Sequence, residues 1–308
     1  MFSAAQNIFS SRQKLTGILF AVVAAIGFSA KAVMVKLAYL DEVDAITLLA
    51  LRMAFSLPFF LIVAAMASRN KRSQAITAKD KLAVIVLGLI GYYLASYLDF
   101  LGLLYISAGL ERLILFLYPT MVVLISTLIF KHRIGRTVLF ALLISYAGIA
   151  LVYVHDMHVL QNNAPLGSLL VFGSALAYAV YLVGAGHTIA RIGATRFTAY
   201  VLTVACAACL IQFAVTHTFA ALSLSFRVYE LSIAMAVFST VLPAFLLAEA
   251  MRRIGSMHTS MIGSIGPVST IFLAYVFLDE RLSLVQIIGS ILVLSGVLMI
   301  SLKRPVQS

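Results

Sequence analysis

Five ionisable residues lie inside stretches of the sequence that are otherwise almost entirely apolar. They are Lys31, Arg52, Asp99, Glu111 and Arg112, which comprise three bases and two acids. A charged side chain within a bilayer is costly, so each is a candidate for binding a charged ligand or, for the carboxylates, for exchanging a proton. The simpler alternative is that the bases extend to the lipid headgroups and that Asp99 caps a helix end.

Aromatic rings and prolines form a second group of candidates. Some rings would suit the wall of a cavity for a ligand with an apolar part, although helix packing would account for each of them as well. These rings are Phe28, Tyr118, Tyr178 and Tyr181. Pro119 and Pro267 each remove a backbone hydrogen bond in mid-helix, which would create either a pair of hinges or two static kinks.

Other reactive residue types are explained by packing or solvation. Cys206 and Cys209 have the CxxC spacing but lie in an apolar stretch without further ligands, which favours helix packing through small residues. His155 and His158 belong to a polar connection, where solvation is the simpler explanation. The sequence contains no glycine-rich phosphate loop, and no pair of nucleophile and base stands out. We therefore expect no metal site, no cofactor and no enzymatic activity.

The helices that must position these groups correspond to apolar blocks. Hydrophobic residues make up 63% of the 308-residue chain and charged residues 11%, against roughly 45–50% and 25% in soluble domains. A helix that crosses a hydrocarbon core needs about 20 residues, and ten blocks have about this length. The blocks span 15–38, 45–67, 82–104, 107–130, 137–154, 166–186, 197–217, 229–250, 257–278 and 283–302. The sequence therefore predicts an all-α integral membrane protein with ten transmembrane helices.

The basic residues indicate how these helices are oriented. Most of the 22 Lys and Arg residues fall in connections that share one side of the membrane if the spans alternate. Cytoplasmic connections are enriched in Lys and Arg, so we expect both termini in the cytoplasm and the chain in the inner membrane. This sorting also explains the net charge of +11, and no nucleic-acid partner is expected.

An internal repeat relates the two halves of the chain. An offset of 148 residues places Tyr118-Pro119 on Gly266-Pro267, and an offset of 150 places Gly17 on Gly167. Because each copy has five helices, the second copy would enter the membrane from the opposite side, which is the inverted repeat found in many secondary transporters. The predicted organisation is a cytoplasmic segment 1–14, a first five-helix repeat 15–154, an outer linker 155–165, a second five-helix repeat 166–302 and a cytoplasmic tail 303–308. A central cavity is expected between the repeats.

Inversion predicts that a second charged cluster lies near the inner face of the second repeat. The residues found there are Glu249, Arg252, Arg253, His258 and, at the end of the sixth block, His187. We hypothesise that the two clusters are paired ionic networks that break in alternation as the repeats rock. A desolvated ion pair is costly to lose unless water or a ligand replaces one partner. For Arg112 and Arg252, extension to the membrane surface is an equally simple explanation.

Short motifs recur near the helix ends. They are Ser107-Ala108-Gly109-Leu110 before Pro119, Ser264-Ile265-Gly266-Pro267, Leu278-Asp279-Glu280-Arg281-Leu282, Gly289 and Ser295-Gly296-Val297. With these motifs, nearly the whole chain resembles the ten-helix, EamA-type branch of the drug/metabolite transporter superfamily. It departs from that pattern at Lys131-His132-Arg133, where the usual acid before the arginine is replaced. The resemblance implies a basket of helices around a central cavity and the export of amino acids, other small metabolites or drugs.

The predicted function is therefore secondary active transport, with export of small metabolites such as amino acids by alternating access. Lys31 and Arg52 could meet a substrate carboxylate. A channel or facilitator for small solutes is the alternative, and an intramembrane enzyme would need a denser set of Asp, His or Ser motifs. The expected partners are a small-molecule substrate and the lipid bilayer, and small-residue helix faces would permit a homodimer.

Overall fold

A computed structural model describes residues 2–68, 75–130, 136–157, 163–263, 265–280 and 283–301. Thirteen α-helices and no β-strand lie within these ranges. The helices are α1 (Phe2–Tyr39), α2 (Ala45–Ser68), α3 (Ala78–Gly88), α4 (Ala95–Leu103), α5 (Ala108–Leu115), α6 (Tyr118–Phe130), α7 (Arg136–Met157), α8 (Ala164–Ile192), α9 (Ala194–Thr216), α10 (Phe226–Ala236), α11 (Leu242–Gly263), α12 (Ile265–Leu278) and α13 (Leu284–Ser301). Residues 158–162 of the predicted linker 155–165 and all of the predicted tail 303–308 lie outside the described residues.

Seven helical stretches of the described chain are long and apolar enough to cross a membrane. They are Gln13–Tyr39, Ala45–Ser68, Ala78–Leu103, Ala108–Ile129, Ala164–Gly186, Ala194–Thr216 and Phe226–Ala250, and shorter apolar helices cover Leu139–His155, Ile265–Leu278 and Leu284–Met299. Large apolar side chains such as Ile62, Leu128 and Leu169 are more than half exposed. Such a surface is unfavourable in water but suits contact with lipid tails. The prediction of an all-α, multi-pass membrane protein is thereby confirmed.

Two predicted helix ends are wrong. Arg252 and Arg253 end an apolar block of the sequence, but α11 continues through them to Gly263. Charge lowers hydropathy without breaking backbone hydrogen bonds, and Arg253 Nε donates to Glu249 Oε1, one turn earlier, at 2.7 Å. Likewise α8 continues beyond residue 186 to Ile192 and ends only at Gly193, whose φ of 86° favours glycine.

Three irregular segments interrupt longer helical stretches. A π-helical segment, Leu89–Leu94, joins α3 to α4, and a second π-helical segment, Val237–Val241, joins α10 to α11. The predicted fourth helix is divided at residues 116–117 into α5 and α6, shortly before Pro119. Single π-helical turns inside α-helices frequently occur at functional sites. A functional site is therefore expected close to these segments.

Glycines allow helices from the two halves of the chain to approach closely. A Cβ on Gly148 of α7 would lie 2.7 Å from the carbonyl oxygen of Gly289 in α13. A Cβ on Gly102 of α4 would lie 2.9 Å from the carbonyl oxygen of Gly167 in α8. Both contacts are too short for any residue with a side chain. Further packing joins α1 to α11 and α12, and α2 to α9, so the two halves contact each other along most of their helices.

Candidate functional site

A cavity of about 220 Å³ lies inside the helix bundle, between elements from both halves of the chain. Seven residues predicted from the sequence line it, namely Phe28, Lys31, Arg52, Asp99, Arg112, Tyr118 and Tyr178. Both π-helical segments contribute to its wall, the first with Gly91 and Tyr92 and the second with Ser239. The cavity thus brings together residues that are far apart in the sequence, and we call it the central cavity.

Lys31 of α1 forms an ion cluster with two carboxylates beside the central cavity. Its Nζ donates to Asp99 Oδ2 of α4 and, at 3.0 Å, to Glu111 Oε1 of α5. Both carboxylates are buried, and their other oxygens, Asp99 Oδ1 and Glu111 Oε2, have no partner among the described residues. One lysine therefore faces two buried acids. A proton or a second cation would balance the remaining negative charge.

The second half of the chain helps to hold Glu111 in place. Ser107 Oγ accepts a hydrogen bond from the N–H of Leu110 at 3.1 Å, which caps the start of α5. Glu280, just beyond α12, accepts a hydrogen bond from the N–H of Ala108 through Oε1 at 3.3 Å. A carboxylate near the positive end of a helix is favourable. The Ser107 and Glu280 motifs of the sequence are therefore joined in one contact that fixes the helix carrying Glu111.

Arg52 of α2 is a buried cation with an incomplete set of partners. Its Nε donates to Thr240 Oγ1 of the second π-helical segment at 2.8 Å, and its guanidinium lies 5.4 Å from the centre of the Phe100 ring. Only 7% of the residue is exposed, yet Nη1 has no partner among the described residues. Buried guanidinium N–H groups normally find an acceptor. Arg52 is therefore held in place while leaving a donor for something that enters the cavity.

Arg112 of α5 lies against the backbone of α12. A Cβ at Gly266 would lie 2.6 Å from Arg112 Nη2, so glycine at this position leaves the space that the guanidinium occupies. Arg112 Nε is buried and has no partner among the described residues. The side chain also lines the central cavity, so Arg112 is placed for ligand contact as well as for packing.

Aromatic rings form one wall of the central cavity. The Tyr178 ring of α8 lies 5.3 Å from that of Tyr118 and 6.2 Å from that of Tyr92, both edge to face. Tyr181 lies behind this wall, with its ring centre 5.0 Å from that of Tyr92. A Cβ at Gly91 would lie 2.2 Å from the Cβ of Tyr181. Tyr118, Tyr178 and Tyr92 thus face the cavity, whereas Tyr181 supports the wall.

The two predicted hinge prolines lie in different surroundings. Pro119 is the second residue of α6, immediately after the interruption between α5 and α6. Pro267 is the third residue of α12, so both prolines lie in the first turn of a helix and not in mid-helix as predicted. The carbonyl of Gly266 accepts a hydrogen bond from Ser29 Oγ at 2.9 Å. Thr270 Oγ1 returns a hydrogen bond to the carbonyl of Ser29 at 3.3 Å. The region of Pro267 is therefore attached to α1 close to Phe28 and Lys31.

The predicted inner cluster forms a contact within one helix. Glu249 pairs with Arg253 along α11, and the Arg253 guanidinium lies 5.1 Å from the ring of Phe20 in α1. The side chains of His187, Arg252 and His258 lie outside the described part of the structure. The described contacts of this cluster thus join α11 to α1 through a cation–π contact.

Two ion pairs between the halves of the chain were missed by the sequence analysis. Arg191 of α8 donates to both carboxylate oxygens of Asp80 at the start of α3, with Nε to Oδ1 at 3.0 Å. At the opposite end of the bundle, Arg227 Nη1 of α10 lies 3.8 Å from Asp41 Oδ2. We call Asp80–Arg191 the inner ion pair and Asp41–Arg227 the outer ion pair, after the predicted orientation.

One sequence signal could have pointed to the inner ion pair. Thr77 and Asp80 form a capping box at the start of α3, in which Asp80 Oδ2 accepts from the N–H of Thr77 at 2.7 Å. This spacing, a threonine followed three residues later by an acid and then an apolar run, is a recognised helix start. The signal locates Asp80 but gives no information about Arg191, because their contact depends on the packing of α3 against α8.

The two cysteines pack among apolar helices. Cys206 and Cys209 are buried and free, and Cys206 Sγ lies 3.7 Å from Met53 Sδ of α2. Within the described part of the chain, no three His, Cys, Asp or Glu side chains are grouped as ligands for a metal ion.

Comparisons with known proteins identify the class of this one. The EamA-like transporter family model matches residues 15–154 and 165–302. The uncharacterized transporter YcbK of Bacillus subtilis strain 168 is 30% identical over 284 residues, which cover 90% of each chain. The uncharacterized transporter YyaM of the same organism is 25% identical and covers 80% of this chain and 81% of its own. A protein of known crystal structure matches with a TM-score of 0.64 over 92% of this chain and 94% of its own at 17% identity, a likeness that concerns the fold alone.

A multi-pass helical fold around a charged cavity is typical of a membrane transporter. The family model covers most of the sequence, and the chain belongs to the EamA-like transporter family. The expected resemblance to the drug/metabolite transporter superfamily is thereby confirmed.

Proposed function

We propose that this protein is a secondary active transporter that exports small metabolites, such as amino acids, by alternating access of two inverted five-helix repeats. The observation that carries the proposal is the central cavity, which is lined by charged residues of α1, α2, α4 and α5 and by elements of both halves. A charged cavity inside an apolar bundle is costly to maintain unless a solute or an ion uses it.

The inverted repeat is supported by features that recur at the offset found in the sequence. The first π-helical segment begins at Leu89 and the second at Val237, which are 148 residues apart. Asp41 and Arg191 are 150 residues apart, and their partners Arg227 and Asp80 are separated by 147. The outer and inner ion pairs are thus counterparts with the signs exchanged. Two copies that enter the membrane from opposite sides would place such counterparts at opposite ends.

This arrangement supports alternating access. Each ion pair joins one half of the chain to the other at one end of the bundle, and the central cavity lies between the two ends. Rocking of the repeats would open one end of the bundle while the other stays closed, so the cavity would be accessible from one side of the membrane at a time. The proposed sites of bending are the two π-helical segments, whose hydrogen bonding departs from that of an α-helix, and the helix starts at Pro119 and Pro267.

The Lys31 cluster is the proposed site of proton coupling. Lys31 Nζ donates to both Asp99 and Glu111. One lysine supplies a single positive charge, which cannot neutralise two carboxylates. A proton taken up by Asp99 or Glu111 on one side and released on the other would couple transport to the proton gradient. Arg112 and the Lys31 cluster form one proposed gate. Glu249 and His258 belong to its predicted counterpart in the second repeat, and the two gates would open in alternation.

We also propose a membrane, an orientation and a set of partners for the protein. The positive connections support an inner-membrane protein with both termini in the cytoplasm. The proposed units are the cytoplasmic segment 1–14, the repeats 15–154 and 166–302, the outer linker 155–165 and the cytoplasmic tail 303–308. Its partners would be a small-molecule substrate and the bilayer, and a homodimer through small-residue helix faces is compatible with them.

The test is solute flux in proteoliposomes with and without a proton gradient. We expect flux of at least one small metabolite that saturates with concentration and that responds to the gradient, together with a slower rate in Glu111→Gln and in Glu249→Gln. If both variants carried the solute at the wild-type rate, the proposed gate would be wrong. Single-channel currents in planar bilayers would instead indicate a channel.

A further inference from the structure

The charges around the central cavity do not balance. Lys31 is already paired with Asp99 and Glu111. Arg52 and Arg112 have no acidic partner within ion-pair distance among the described residues. With all five groups ionised, the site therefore contains one more cation than anion. A site with this excess of positive charge favours an anionic ligand.

The unused donors belong to the two arginines. Arg52 Nη1 and Arg112 Nε are buried without an acceptor in the described structure, and both side chains line the central cavity. A guanidinium presents N–H groups in a planar fork that matches a carboxylate or a phosphate. With both acids ionised, the surplus of one positive charge matches a carboxylate; a phosphate monoester, with a charge of roughly −1.5 to −2 near neutral pH, would match only with one acid protonated.

The remainder of the cavity would suit an apolar body of limited size. Phe28, Phe116, Tyr118 and Tyr178 line it. Its volume of about 220 Å³ exceeds the roughly 150 Å³ of a cavity that binds benzene. A six-membered ring with a short acid side chain therefore fits the available space.

The cavity offers less to a ligand ammonium group. Glu111 does not line the cavity, so such a group could reach only the unpaired Oδ1 of Asp99, and it would raise the positive surplus of the site. We propose that the central cavity binds small carboxylate monoanions with an aromatic or compact apolar body, with the carboxylate held between Arg52 and Arg112. This inference narrows the proposed substrates from small metabolites such as amino acids to carboxylates without an ammonium group, and it rests on the proposed function for the movement of the ligand.

Three compounds that share a phenylethyl group separate the possible charge types. They are 3-phenylpropanoate, which has only the carboxylate, 2-phenylethylamine, which has only the ammonium, and phenylalanine, which has both. A ligand that binds the folded state raises the unfolding temperature of the purified protein. We expect the largest rise with 3-phenylpropanoate and none with 2-phenylethylamine. An equal or larger rise with phenylalanine or the amine, or no rise with the acid, would overturn the proposal.

Variants test whether the arginines are responsible. We expect Arg52→Gln and Arg112→Gln each to weaken the apparent affinity for 3-phenylpropanoate about tenfold or more, since each removes a hydrogen bond to a charged group. Arg196→Gln is the matched control, because Arg196 packs over Tyr200 and does not line the cavity. The affinity of this variant for 3-phenylpropanoate should equal that of the wild type. Equal affinities in the two cavity variants and the wild type would count against the assignment. The comparison of the three compounds needs only the wild type, so it stands even if a variant fails to fold.

Counterflow of the same compounds separates this inference from the proposed function. Uptake of 2-phenylethylamine but not of 3-phenylpropanoate would overturn the substrate class and leave a transporter. Binding of 3-phenylpropanoate without flux of any solute would leave the site assignment intact and overturn transport.

Discussion

At the scale of single residues, Lys31 has the most demanding position. Its ammonium group is the only described ion-pair partner of both Asp99 and Glu111. Its side chain is 12% exposed, and those of the two acids 4% and 0%. Removing one member of a buried ion pair leaves an uncompensated charge, which costs more than the pair itself contributes. The stability of the first half of the chain should therefore depend on this one side chain.

We predict that Lys31→Met lowers the free energy of unfolding by roughly 3–5 kcal/mol, the usual range when one partner of a buried ion pair is removed. The measurement is thermal or denaturant unfolding of the protein in detergent. Lys14→Met is the matched control, since Lys14 is exposed near the start of α1. The combined variant Lys31→Met, Asp99→Asn, Glu111→Gln should recover most of the loss. A stable Lys31→Met protein with both acids present would contradict the ion cluster.

The sequence was informative about which residues are unusual and silent about their partners. Lys31, Asp99 and Glu111 stand out because they are ionisable within apolar stretches. That Lys31 bonds to both acids depends on the packing of α1 against α4 and α5, which no local pattern encodes. Asp80 and Arg191 did not stand out, because charged residues at helix ends are expected to contact water.

At the scale of helices, the first π-helical segment has a close fit to α8. Gly91 leaves room for the Tyr181 side chain, and Tyr181 in turn supports Tyr92 and Tyr178 in the cavity wall. Neither π-helical segment was predicted, because hydropathy is almost insensitive to one additional residue in a helical turn. The extents of α8 and α11 were underestimated for a related reason, as charged residues were taken for helix ends.

We predict that Gly91→Ala destabilises the protein by about 1–3 kcal/mol, because the added methyl group overlaps Tyr181 and the site is already filled. Gly186→Ala is the matched control, since a Cβ there meets no atom within 4 Å. In a helix this change should be neutral or stabilising by up to about 1 kcal/mol. Equal unfolding temperatures for the two variants would refute the tight contact at Gly91.

The inner ion pair should be stronger than the outer ion pair. Asp80 is 4% exposed and forms several hydrogen bonds, whereas the Arg227 side chain of the outer pair is 52% exposed. In double-mutant cycles built from Asp80→Asn with Arg191→Gln and from Asp41→Asn with Arg227→Gln, we expect a larger coupling energy for the inner pair than for the outer pair. The outer pair should give about 0.2–1 kcal/mol, as exposed pairs do. The readout is the unfolding free energy in detergent, and a larger value for the outer pair would reverse the assignment.

At the scale of the whole molecule, the antiparallel arrangement of the two halves makes a definite prediction about sidedness. Connection 131–136 of the first repeat and connection 279–281 of the second are counterparts in the sequence, and inversion places them on opposite sides of the membrane. We expect an impermeant maleimide to label Arg281→Cys in intact cells and His132→Cys only after permeabilisation. Cys206 and Cys209 are buried and should remain unlabelled. Labelling of both positions from one side would rule out the inverted repeat.

The short connection between α8 and α9 has a consequence for how the bundle can rearrange. Only Gly193 separates Ile192 from Ala194, and neighbouring Cα atoms are about 3.8 Å apart, so the two helix ends cannot part by more than a few ångströms. A rigid shift of α8, which bears Tyr178, must therefore displace the start of α9 as well. Because α9 packs on α2, where Cys206 contacts Met53, such a shift would be transmitted as far as the helix that bears Arg52. A thiol-specific fluorophore is unsuited to this buried position, but a methyl-labelled Met53 would report the displacement by NMR.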